Sequence, residues 1–284
     1  MNRVILGDNM QCLSKIADNS VDLIYIDPPF NTGKKRKLKS IECTRVEGGN
    51  RVGFGGHEYE DTIVSSMEYG DSFDDFESFI LPRMKEAWRV LTKTGSLYFH
   101  IGQNESHYCK VMLDKICGRE NFLNEIIWAY DYGARSKTRW PAKHDTIFVY
   151  VKDKENYTFN YEEIDRIPYM APGLVGEEKA AKGKTLTDVW WHTIVPTNGK
   201  EKTGYPTQKP LGILRRIIKV SSKPGDLVLD FFAGSGTTGM AASENGRKFI
   251  MIDSNKEAFE VMKTRFATIS DIEFIEVAIE GALI

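Results

Sequence analysis

The sequence predicts an α/β fold with a doubly wound, mostly parallel β-sheet. Along its 284 residues, short runs rich in β-branched and aromatic residues alternate with amphipathic segments of helical period, which is the order expected of strands joined by crossover helices. Several runs are apolar almost throughout, and this pattern is typical of strands buried on both faces of a parallel sheet. A glycine-rich turn that joins one such run to a helix supports the same class.

Seven short apolar segments are predicted as strands and six amphipathic segments as helices. The clearest helix is Ser72–Leu91, where aromatic and aliphatic residues recur at three- and four-residue steps after an Asp71-Ser72 cap. The other predicted helices are Asn9–Ile16, Gln103–Ile116, Pro210–Ser221, Thr237–Asn245 and Lys256–Ala267. The predicted strands are Arg3–Leu6, Asp22–Ile26, Ser96–Ile101, Asn124–Ala129, Thr146–Val151, Leu227–Phe231 and Phe249–Ile252.

Two segments interrupt this alternation. Residues 31–70 carry the basic run Lys34–Lys39 and then several glycines, and we predict a long functional loop there. Residues 153–206 have four prolines, mixed polarity and weak periodicity, so they are predicted as an inserted subdomain in which substrate specificity could reside. The chain is thereby divided into residues 1–152, 153–206 and 207–284.

Composition narrows the class of protein further. The net charge is −2, from 38 Lys and Arg against 40 Asp and Glu, so any nucleic-acid site must be a local basic patch. The four cysteines are scattered without a Cys-x-x-Cys pair, which argues against a disulfide framework and against a metal site. No apolar run approaches the ~18 residues of a membrane span, and the start lacks a secretory pattern. These features predict a cytoplasmic protein with no membrane partner and no bound metal.

The glycine-rich turn predicts a site for a nucleoside-bearing cofactor. The predicted strand Leu227–Phe231 is followed by a literal G-x-G-x-x-G pattern, and Asp253 lies seventeen residues beyond Gly236, at the end of the next strand. Glycines let the backbone approach a ligand closely, while an acid at the next strand end accepts hydrogen bonds from ribose hydroxyls. The alternative interpretation is an ordinary strand-to-helix turn.

Position within the chain narrows the choice of cofactor. Only 45 residues follow Gly239, too few for the second half of a dinucleotide fold. NAD is therefore disfavoured, and a ligand of mononucleoside size such as S-adenosylmethionine is preferred. Asp230, which precedes the glycines, is a candidate partner for the ammonium group of that ligand.

The turn Asp27-Pro28-Pro29-Phe30 is the second motif. Two successive prolines cannot continue a strand ladder, so the strand must end with Asp27 at its carboxyl end, where ligands bind in open α/β sheets. Asp27 and the Pro28 carbonyl can accept the two hydrogens of an exocyclic amine on a flat base, and Phe30 can stack on its ring. Taken alone, the turn could equally be a proline-rich loop with a capping Asp.

Together, Asp27-Pro28-Pro29-Phe30 and Phe232-x-Gly234-x-Gly236 resemble the motifs of the S-adenosylmethionine-dependent amino-methyltransferases of DNA. Their order, with the catalytic turn first and the cofactor turn late, resembles the β class of that family. Further segments that resemble family motifs are Leu6-Gly7-Asp8, Arg89-Val90-Leu91-x3-Gly95-Ser96, Lys143-His144-Asp145, Asn156–Asn160 and Pro206-Thr207-Gln208-Lys209-Pro210.

The resemblance implies a seven-stranded methyltransferase sheet in circularly permuted order. Residues 1–152 would form the catalytic half, 153–206 a target-recognition insert, and 207–284 the cofactor-binding half. It also implies site-specific, direct in-line transfer of a methyl group from S-adenosylmethionine to N6 of a flipped adenine in duplex DNA, because family members with Asp before Pro-Pro mostly modify adenine.

Three alternatives remain open at this point. The first is a cytosine-N4 methyltransferase on the same fold, and the second is a DNA-binding module that has lost catalysis. The third is an RNA or protein-amide methyltransferase with a similar turn, although such enzymes more often have Asn before Pro-Pro and the cofactor motif near the N-terminus. Besides double-stranded DNA, the resemblance allows two further partners, a second copy of the chain in a homodimer and a cognate restriction endonuclease.

Three sets of site residues follow from the motifs and the resemblance. The predicted catalytic residues are Asp27, Pro28, Pro29 and Phe30. The predicted cofactor-binding residues are Asp8, Asp27, Thr207, Lys209, Asp230, Phe232, Gly234, Ser235, Gly236, Thr237 and Asp253. The predicted DNA-binding residues are Lys34, Lys35, Arg36, Lys37, Lys39, Arg135, Lys137, Arg139 and Lys143. The five histidines show no metal-ligand spacing and are assigned structural or surface roles, and Trp190-Trp191 is assigned to the core of the insert.

Overall fold

The fold was analysed in a computed structural model. It describes residues 1–46, 48, 50–52, 56–71, 73, 75–133, 135–196 and 198–277, with the backbone alone for 34–43, 51 and 61–71. The helices are α1 (Asn9–Leu13), α2 (Phe76–Val90), α3 (Ser106–Cys117), α4 (Glu177–Lys182), α5 (Leu211–Ser221), α6 (Thr237–Glu244) and α7 (Lys256–Arg265). The strands are β1 (Asn2–Leu6), β2 (Val21–Ile26), β3 (Lys34–Arg45), β4 (Arg51–Val52), β5 (Glu58–Asp71), β6 (Leu91–Ile101), β7 (Phe122–Ala129), β8 (His144–Val151), β9 (Arg166–Ile167), β10 (Lys184–Thr185), β11 (Val189–Trp191), β12 (Leu227–Asp230), β13 (Lys248–Asp253) and β14 (Ile272–Glu276).

The main sheet has the strand order β11-β7-β8-β6-β2-β12-β13-β1-β14 among the described residues. Strands β6, β2, β12, β13, β1 and β14 are mutually parallel, whereas β8 runs antiparallel to both β6 and β7. The late strands β12 and β13 separate the early strands β2 and β1. This is the circularly permuted arrangement that the family resemblance implies.

All seven predicted strands are present in this sheet, and two edge strands extend it to nine. β11 pairs with β7 and β14 pairs with β1, so each additional strand has one neighbour. The prediction of seven strands is therefore too low. β11 has only three residues, and β14 has glutamates at positions 273 and 276, a spacing of three that breaks strand alternation. Both become strands through pairing with a neighbour rather than through a strong intrinsic pattern.

Helices cover both faces of the sheet. One buried cluster packs Ile80 and Met84 of α2 against Ile24 of β2, and the other packs Ile217 of α5 against Leu23 of β2. Since neighbouring residues of a strand point to opposite faces, Leu23 and Ile24 place one cluster on each side. Both faces of the sheet are therefore buried at β2, which explains why the sequence of this strand is apolar almost throughout.

Helix α2 begins four residues later than the sequence predicts. Asp75 is its N-cap, and the carboxylate accepts a hydrogen bond from the backbone N–H of Ser78 at 2.9 Å. Asp71 instead ends β5, and Ser72 lies outside the described residues. The predicted Asp71-Ser72 cap is thus wrong, because two nearby Asp residues offer the same capping chemistry and the backbone uses the second.

The segment 31–70 is not the loop that the sequence predicts. β3 and β5 form a long antiparallel hairpin in which Lys34 lies opposite Asp71 and Arg45 opposite Tyr59, and β4 pairs with the other edge of β5. The strands of the hairpin pair with one another and are separate from the main sheet. They therefore need no alternating apolar face, and such a face is the sequence signal from which strands are predicted. Gly49, Gly53 and Gly55 lie outside the described residues, as do the side chains of Lys34, Lys35, Arg36, Lys37 and Lys39.

The segment 153–206 contains short elements. β9 and β10 pair with each other, and β11 joins the edge of the main sheet. Trp190 is buried in a main-sheet cluster while its neighbour Trp191 is exposed, so the sequence assignment of both to the core of the insert is wrong for Trp191. Among the described residues, no helix combines the length and the apolar character needed to cross a bilayer.

Candidate active site

Four carboxylates meet at one edge of the parallel sheet. Asp8 follows β1, Asp27 follows β2, and Asp230 and Asp253 are the last residues of β12 and β13. Because these four strands are parallel neighbours, their carboxyl ends lie along one edge, where ligands bind in this class of fold. All four side chains line a cavity of about 480 Å³.

The cavity also receives most of the predicted cofactor-binding residues. Thr207, Lys209, Phe232, Gly234, Ser235 and Thr237 line it together with the four acids. Gly236 does not. A Cβ on Gly236 would lie 2.6 Å from Cζ of Phe266, so this glycine serves the close packing of the turn rather than the cavity wall.

The glycine-rich turn depends on backbone angles that only glycine adopts readily. Gly234 and Gly236 have φ of +50° and +72°, in the left-handed region that side chains with a Cβ disfavour. The turn then leads directly into α6. The backbone N–H of Gly234 donates to Oδ2 of Asp253 at 2.7 Å, which ties the turn to the end of the neighbouring strand.

Asp230 also stabilises the glycine-rich turn, through two hydrogen bonds. Its Oδ1 accepts from the backbone N–H of Phe232 at 3.0 Å, and its Oδ2 accepts from the Thr238 hydroxyl at 2.6 Å. Burial raises the pKa of Asp230 to about 7 despite these hydrogen bonds, and the nearby carboxylates of Asp27 and Asp253 act in the same direction. At neutral pH the group is therefore poised between its neutral and ionised forms.

Asp253 is held at the cavity wall by two backbone donors, Gly234 N–H and Asn255 N–H, the latter at 2.9 Å from Oδ1. Burial raises its pKa, and these hydrogen bonds oppose the rise. An ionised carboxylate offers about four acceptor positions, so it retains capacity for the hydroxyls of a ligand.

Asp8 lies at the other end of the cavity beside an arginine that the sequence analysis missed. Its Oδ1 caps α1 by accepting from the backbone N–H of Met10 and Gln11, and its Oδ2 lies 3.6 Å from Arg83 Nη2. The guanidinium of Arg83 stacks over the Phe79 ring at 3.9 Å. A basic residue on the helix face that also carries Phe76 and Ile80 was the available signal.

Asp27 has two carboxylate oxygens with different surroundings. Oδ2 forms an ion pair with the ammonium group of Lys209, whose Nζ also lies 5.2 Å from the centre of the Phe30 ring. Oδ1 is buried and has no hydrogen-bond partner among the described residues. A buried acceptor without a partner is costly, so a hydrogen bond from a donor that reaches this oxygen would be favourable.

A second cavity of about 270 Å³ adjoins the first at Asp27. The two cavities share Asp27, Pro29, Thr207 and Lys209. The smaller one is otherwise lined by Pro28, Phe30, Trp128, Tyr130, Asp145, Ile194, Pro206 and Gln208. Aromatic rings around a carboxylate form a site suited to a flat ring that carries a hydrogen-bond donor.

His100 lies within the candidate site, although the sequence analysis assigned structural or surface roles to all the histidines. It is completely buried on β6, the neighbour of β2. Its Nδ1 is 2.8 Å from the Tyr25 hydroxyl, and its Nε2 is 3.4 Å from Asp145 Oδ2. A histidine inside the apolar run Ser96–Ile101 was the signal that could have identified it.

The surroundings of Asp145 favour its ionised form. Burial raises its pKa, but the His100 ring, the charge of Lys209 and the Tyr130 hydroxyl together lower it below the usual value. The hydroxyl of Tyr130 donates to Oδ1 at 3.1 Å. Asp145 therefore presents a second negative charge to the smaller cavity.

The predicted DNA-binding residues 135–143 lie between β7 and β8, whose adjoining ends contribute Trp128, Tyr130 and Asp145 to the smaller cavity. Arg135, Lys137 and Arg139 are exposed. Arg135 forms an ion pair with Asp131, and Lys143 donates to the backbone carbonyls of residues 132 and 133. Trp140, in the same segment, is 95% exposed.

Comparisons with known proteins agree on one family. A family model described as DNA methylase matches residues 21–264. The chain is similar to DNA adenine methyltransferase YhdJ of Escherichia coli (strain K12), with 32% identity over 97% of this chain and 86% of that protein. It is also similar to the type II methyltransferase M.HpaI of Haemophilus parainfluenzae, with 30% identity over 93% and 73% of the two chains.

Solved structures of lower identity share the fold. The M1.HpyAVI–SAM complex has a TM-score of 0.60 at 22% identity, covering 94% of this chain and 99% of that one. PvuII DNA methyltransferase, described as cytosine-N4-specific, has a TM-score of 0.65 at 15% identity, covering 97% and 95%.

Proposed function

The chain belongs to the DNA methylase family, and from this premise we propose that it transfers a methyl group from S-adenosylmethionine to N6 of adenine in duplex DNA. The observation that carries the proposal is the position of Asp27. This residue lines both of two adjoining cavities, and its Oδ1 has no hydrogen-bond partner among the described residues.

The larger cavity fits S-adenosylmethionine in size and in chemistry. Its volume of about 480 Å³ lies within the range of about 300–1,000 Å³ that is usual for small-molecule sites. Asp253 would accept from the ribose hydroxyls, Asp230 would face the ammonium group, and Phe232 with Phe79 would give the adenine an apolar wall. When bound, the cofactor supplies a methyl group that is activated by a sulfonium centre.

The smaller cavity would hold the target base. Phe30 would stack on the ring, while Asp27 Oδ1 and the Pro28 carbonyl would accept the two N–H bonds of the amine. These acceptors favour a pyramidal nitrogen whose lone pair can point at the methyl group, and they are placed before the positive charge develops. Preorganised acceptors of this kind contribute on the order of several kcal/mol, and holding the reactants in line adds a proximity contribution.

The base must leave the duplex to reach Asp27. Extrusion costs a few kcal/mol, which stacking on Phe30 and contacts around the smaller cavity would offset. Arg135, Lys137 and Arg139 would contact phosphates, which give affinity without sequence information. We assign the reading of sequence to residues 153–206, because they join the sheet edge next to β7.

Two alternative functions are less well supported. Transfer to cytosine N4 uses the same architecture, as the PvuII enzyme illustrates, but a relative that is 32% identical to this chain is named for adenine. A DNA-binding module without catalysis would have no need to keep Asp27, Asp230 and Asp253 at one cavity.

A homodimer and a cognate restriction endonuclease are further proposals. M.HpaI is a type II methyltransferase, which supports a search for an endonuclease that cuts the same sequence. Sedimentation equilibrium at micromolar concentration tests for the dimer, and a protein that remains a monomer there would exclude it.

The proposed function is tested by supplying S-adenosylmethionine with a tritiated methyl group and unmethylated genomic DNA. After digestion to nucleosides and chromatography, the label should appear in N6-methyldeoxyadenosine. Label in N4-methyldeoxycytidine would support the alternative base, and no incorporation would overturn the proposal.

A further inference from the structure

The imidazole of His100 is buried between two carboxylates. Its Nδ1 lies 3.5 Å from Asp27 Oδ1, and its Nε2 lies 3.4 Å from Asp145 Oδ2. The hydroxyl of Tyr25, one strand away, is 2.8 Å from Nδ1. The line Asp145–His100–Asp27 therefore runs from the wall of the smaller cavity to the candidate catalytic acid.

The other groups packed against His100 are aromatic. The rings of Trp128 and Phe30 each have their centres 5.5 Å from the imidazole centre. Tyr25, Asp27 and Asp145 are the titratable groups that face His100 among the described residues, and Lys209 is the nearest cation through its ion pair with Asp27. The imidazole thus has negative charge on two sides.

Two buried polar atoms on this line lack a hydrogen-bond partner among the described residues, Asp27 Oδ1 and His100 Nε2. Buried polar groups are normally paired, and exceptions call for a functional explanation. A substrate amine would satisfy Asp27 Oδ1. A closer approach of Asp145 would satisfy Nε2, and would leave Nδ1 as an acceptor facing Tyr25 and Asp27.

Amine methylation leaves a proton to be removed. The N6 lone pair forms the bond to the methyl carbon, the electron pair of the S–CH3 bond remains on sulfur, and the nitrogen becomes positively charged until one N–H proton leaves. Asp27 Oδ1 is the acceptor in contact with that proton. A proton retained on Asp27 would oppose its ion pair with Lys209, so a second acceptor is needed for turnover.

Building on the proposed function, we propose that His100 acts through Asp27, without touching the substrate, by taking from Asp27 Oδ1 the proton that N6 releases. Asp145 stabilises the resulting imidazolium from the opposite side. Once the product base has left, the proton can return from Nδ1 to Asp27, which also lines the smaller cavity, and from there to solvent, so that the starting tautomer of His100 is restored.

The test replaces His100 with Gln, which retains a polar side chain but cannot titrate. The rate of methyl transfer over repeated turnovers is measured from pH 5 to pH 8 with cofactor and DNA saturating, because the proton must leave Asp27 before each new turnover. The wild type should show a rate that rises with pH, because only a neutral imidazole can accept the proton. His100→Gln should be at least tenfold slower at pH 7.5 and should lose that rise.

His107→Gln is the matched control, because His107 is exposed on α3 and should leave both the rate and its pH dependence unchanged. Calorimetry with S-adenosylmethionine shows whether each variant keeps its cofactor site. A His100→Gln enzyme with the rate and pH profile of the wild type would overturn the inference.

Asp145→Asn provides a second test in case His100→Gln does not fold. Loss of the carboxylate removes a charge that stabilises the imidazolium, so the rise in rate should move to lower pH. In the protein without DNA, the NMR signal of carbon-13-labelled His100, identified by its loss in His100→Gln or by its response to Asp27→Asn, should also titrate at lower pH. An unmoved profile and signal would overturn the inference, whereas a wild type that does not methylate adenine would overturn the proposed function instead.

Discussion

Asp27 is the residue on which the two cavities and both motif-based predictions converge. Replacement by Asn keeps the size of the side chain but removes its charge and offers an NH2 group where an acceptor is needed. We expect Asp27→Asn to lower the single-turnover rate at least hundredfold. The affinity for S-adenosylmethionine should change less than about fivefold, because other residues supply most of the cavity wall.

The measurements are radiolabel transfer and calorimetry. Asp18→Asn is the matched control, since Asp18 is an exposed carboxylate paired with Arg89 far from the cavity lining. Equal transfer rates in Asp27→Asn and Asp18→Asn would refute the role of the carboxylate.

Asp230 gives a prediction about pH. Its pKa is about 7 in the protein without ligand, and a cation beside it favours the ionised form. Binding of S-adenosylmethionine should therefore tighten as pH rises from 5.5 to 7.5 and should release up to about one proton. Calorimetry in buffers of different ionisation enthalpy measures this release, and Asp230→Asn should abolish it.

Ionisation of Asp230, which should favour binding of the cofactor, should lower the stability of the protein without ligand. Because its folded pKa is raised, neutral Asp230 contributes stability that is complete below the unfolded value and is lost as pH rises through about 7. As pH rises through this range, the melting temperature of the wild type should fall relative to that of Asp230→Asn. A difference that is constant with pH would contradict the assignment.

At the scale of residues, the sequence predicted the acidic residues of the site better than it predicted the residues that contact them. Asp230 and Asp253 could be predicted because each ends a strand beside a recognisable glycine turn. His100 and Arg83 were missed, because each lies in a segment with the pattern of a core strand or a core helix and only its polar side chain within that pattern indicates a function. Their functional contacts, to Asp27 and Asp8, join residues about 70 positions apart.

At the scale of elements, the end of β6 limits the position of the Phe30 ring. Gly102 follows β6, and a Cβ there would lie 2.8 Å from Cδ2 of Phe30. Gly102→Ala should displace this ring and weaken DNA binding about tenfold, while the affinity for S-adenosylmethionine stays close to that of the wild type. Fluorescence anisotropy with a labelled duplex measures the first quantity and calorimetry the second.

Gly173→Ala is the steric control, because a Cβ at Gly173 meets nothing within 4 Å. It should keep the wild-type melting temperature and cofactor affinity. If Gly102→Ala binds DNA as the wild type does, Phe30 is not held by this contact in the way proposed.

The hairpin of β3 and β5 shows where prediction of elements fails. Sequence patterns indicate a strand when one or both of its faces are apolar and buried. Lys34–Lys39 lacks such a pattern, because five of its six residues are basic. Strand pairing supplies the missing information. Lys37 lies opposite Glu68 and Thr44 opposite Glu60, pairings that become visible only once the register is known.

At the scale of the whole molecule, the site depends on one junction between early and late parts of the chain. Val228 and Leu229 of β12 pair with Leu23 and Ile24 of β2, and this pairing brings Asp27 and Asp230 to the same cavity. The family resemblance implied the permuted order, but the strand order itself requires the structure. Hence the fold class was predictable, whereas the distances within the site were not.

Among the described residues, the strands of the hairpin pair only with one another and not with the main sheet, which makes the hairpin separable. The Asn31 side chain accepts from the backbone N–H of Phe73 at 2.8 Å and donates to Glu105, and Lys34 lies opposite Asp71. Replacing residues 35–70 by Asn-Gly should close the chain as a tight turn and preserve the contacts of Asn31. We expect the melting temperature and cofactor affinity of this shortened protein to remain near those of the wild type.

Binding to DNA should respond differently, because the excision removes Lys35, Arg36, Lys37 and Lys39. Affinity should fall for all duplexes alike, and the slope of log affinity against log salt should flatten by roughly 0.9 for each phosphate that the protein no longer neutralises. A full-length variant with Lys34, Lys35, Arg36 and Lys37 replaced by Ala separates charge from hairpin shape. If both proteins keep the wild-type slope, these residues do not bind phosphates. If the preferred sequence changes, the hairpin reads bases, and sequence recognition does not belong to residues 153–206 alone.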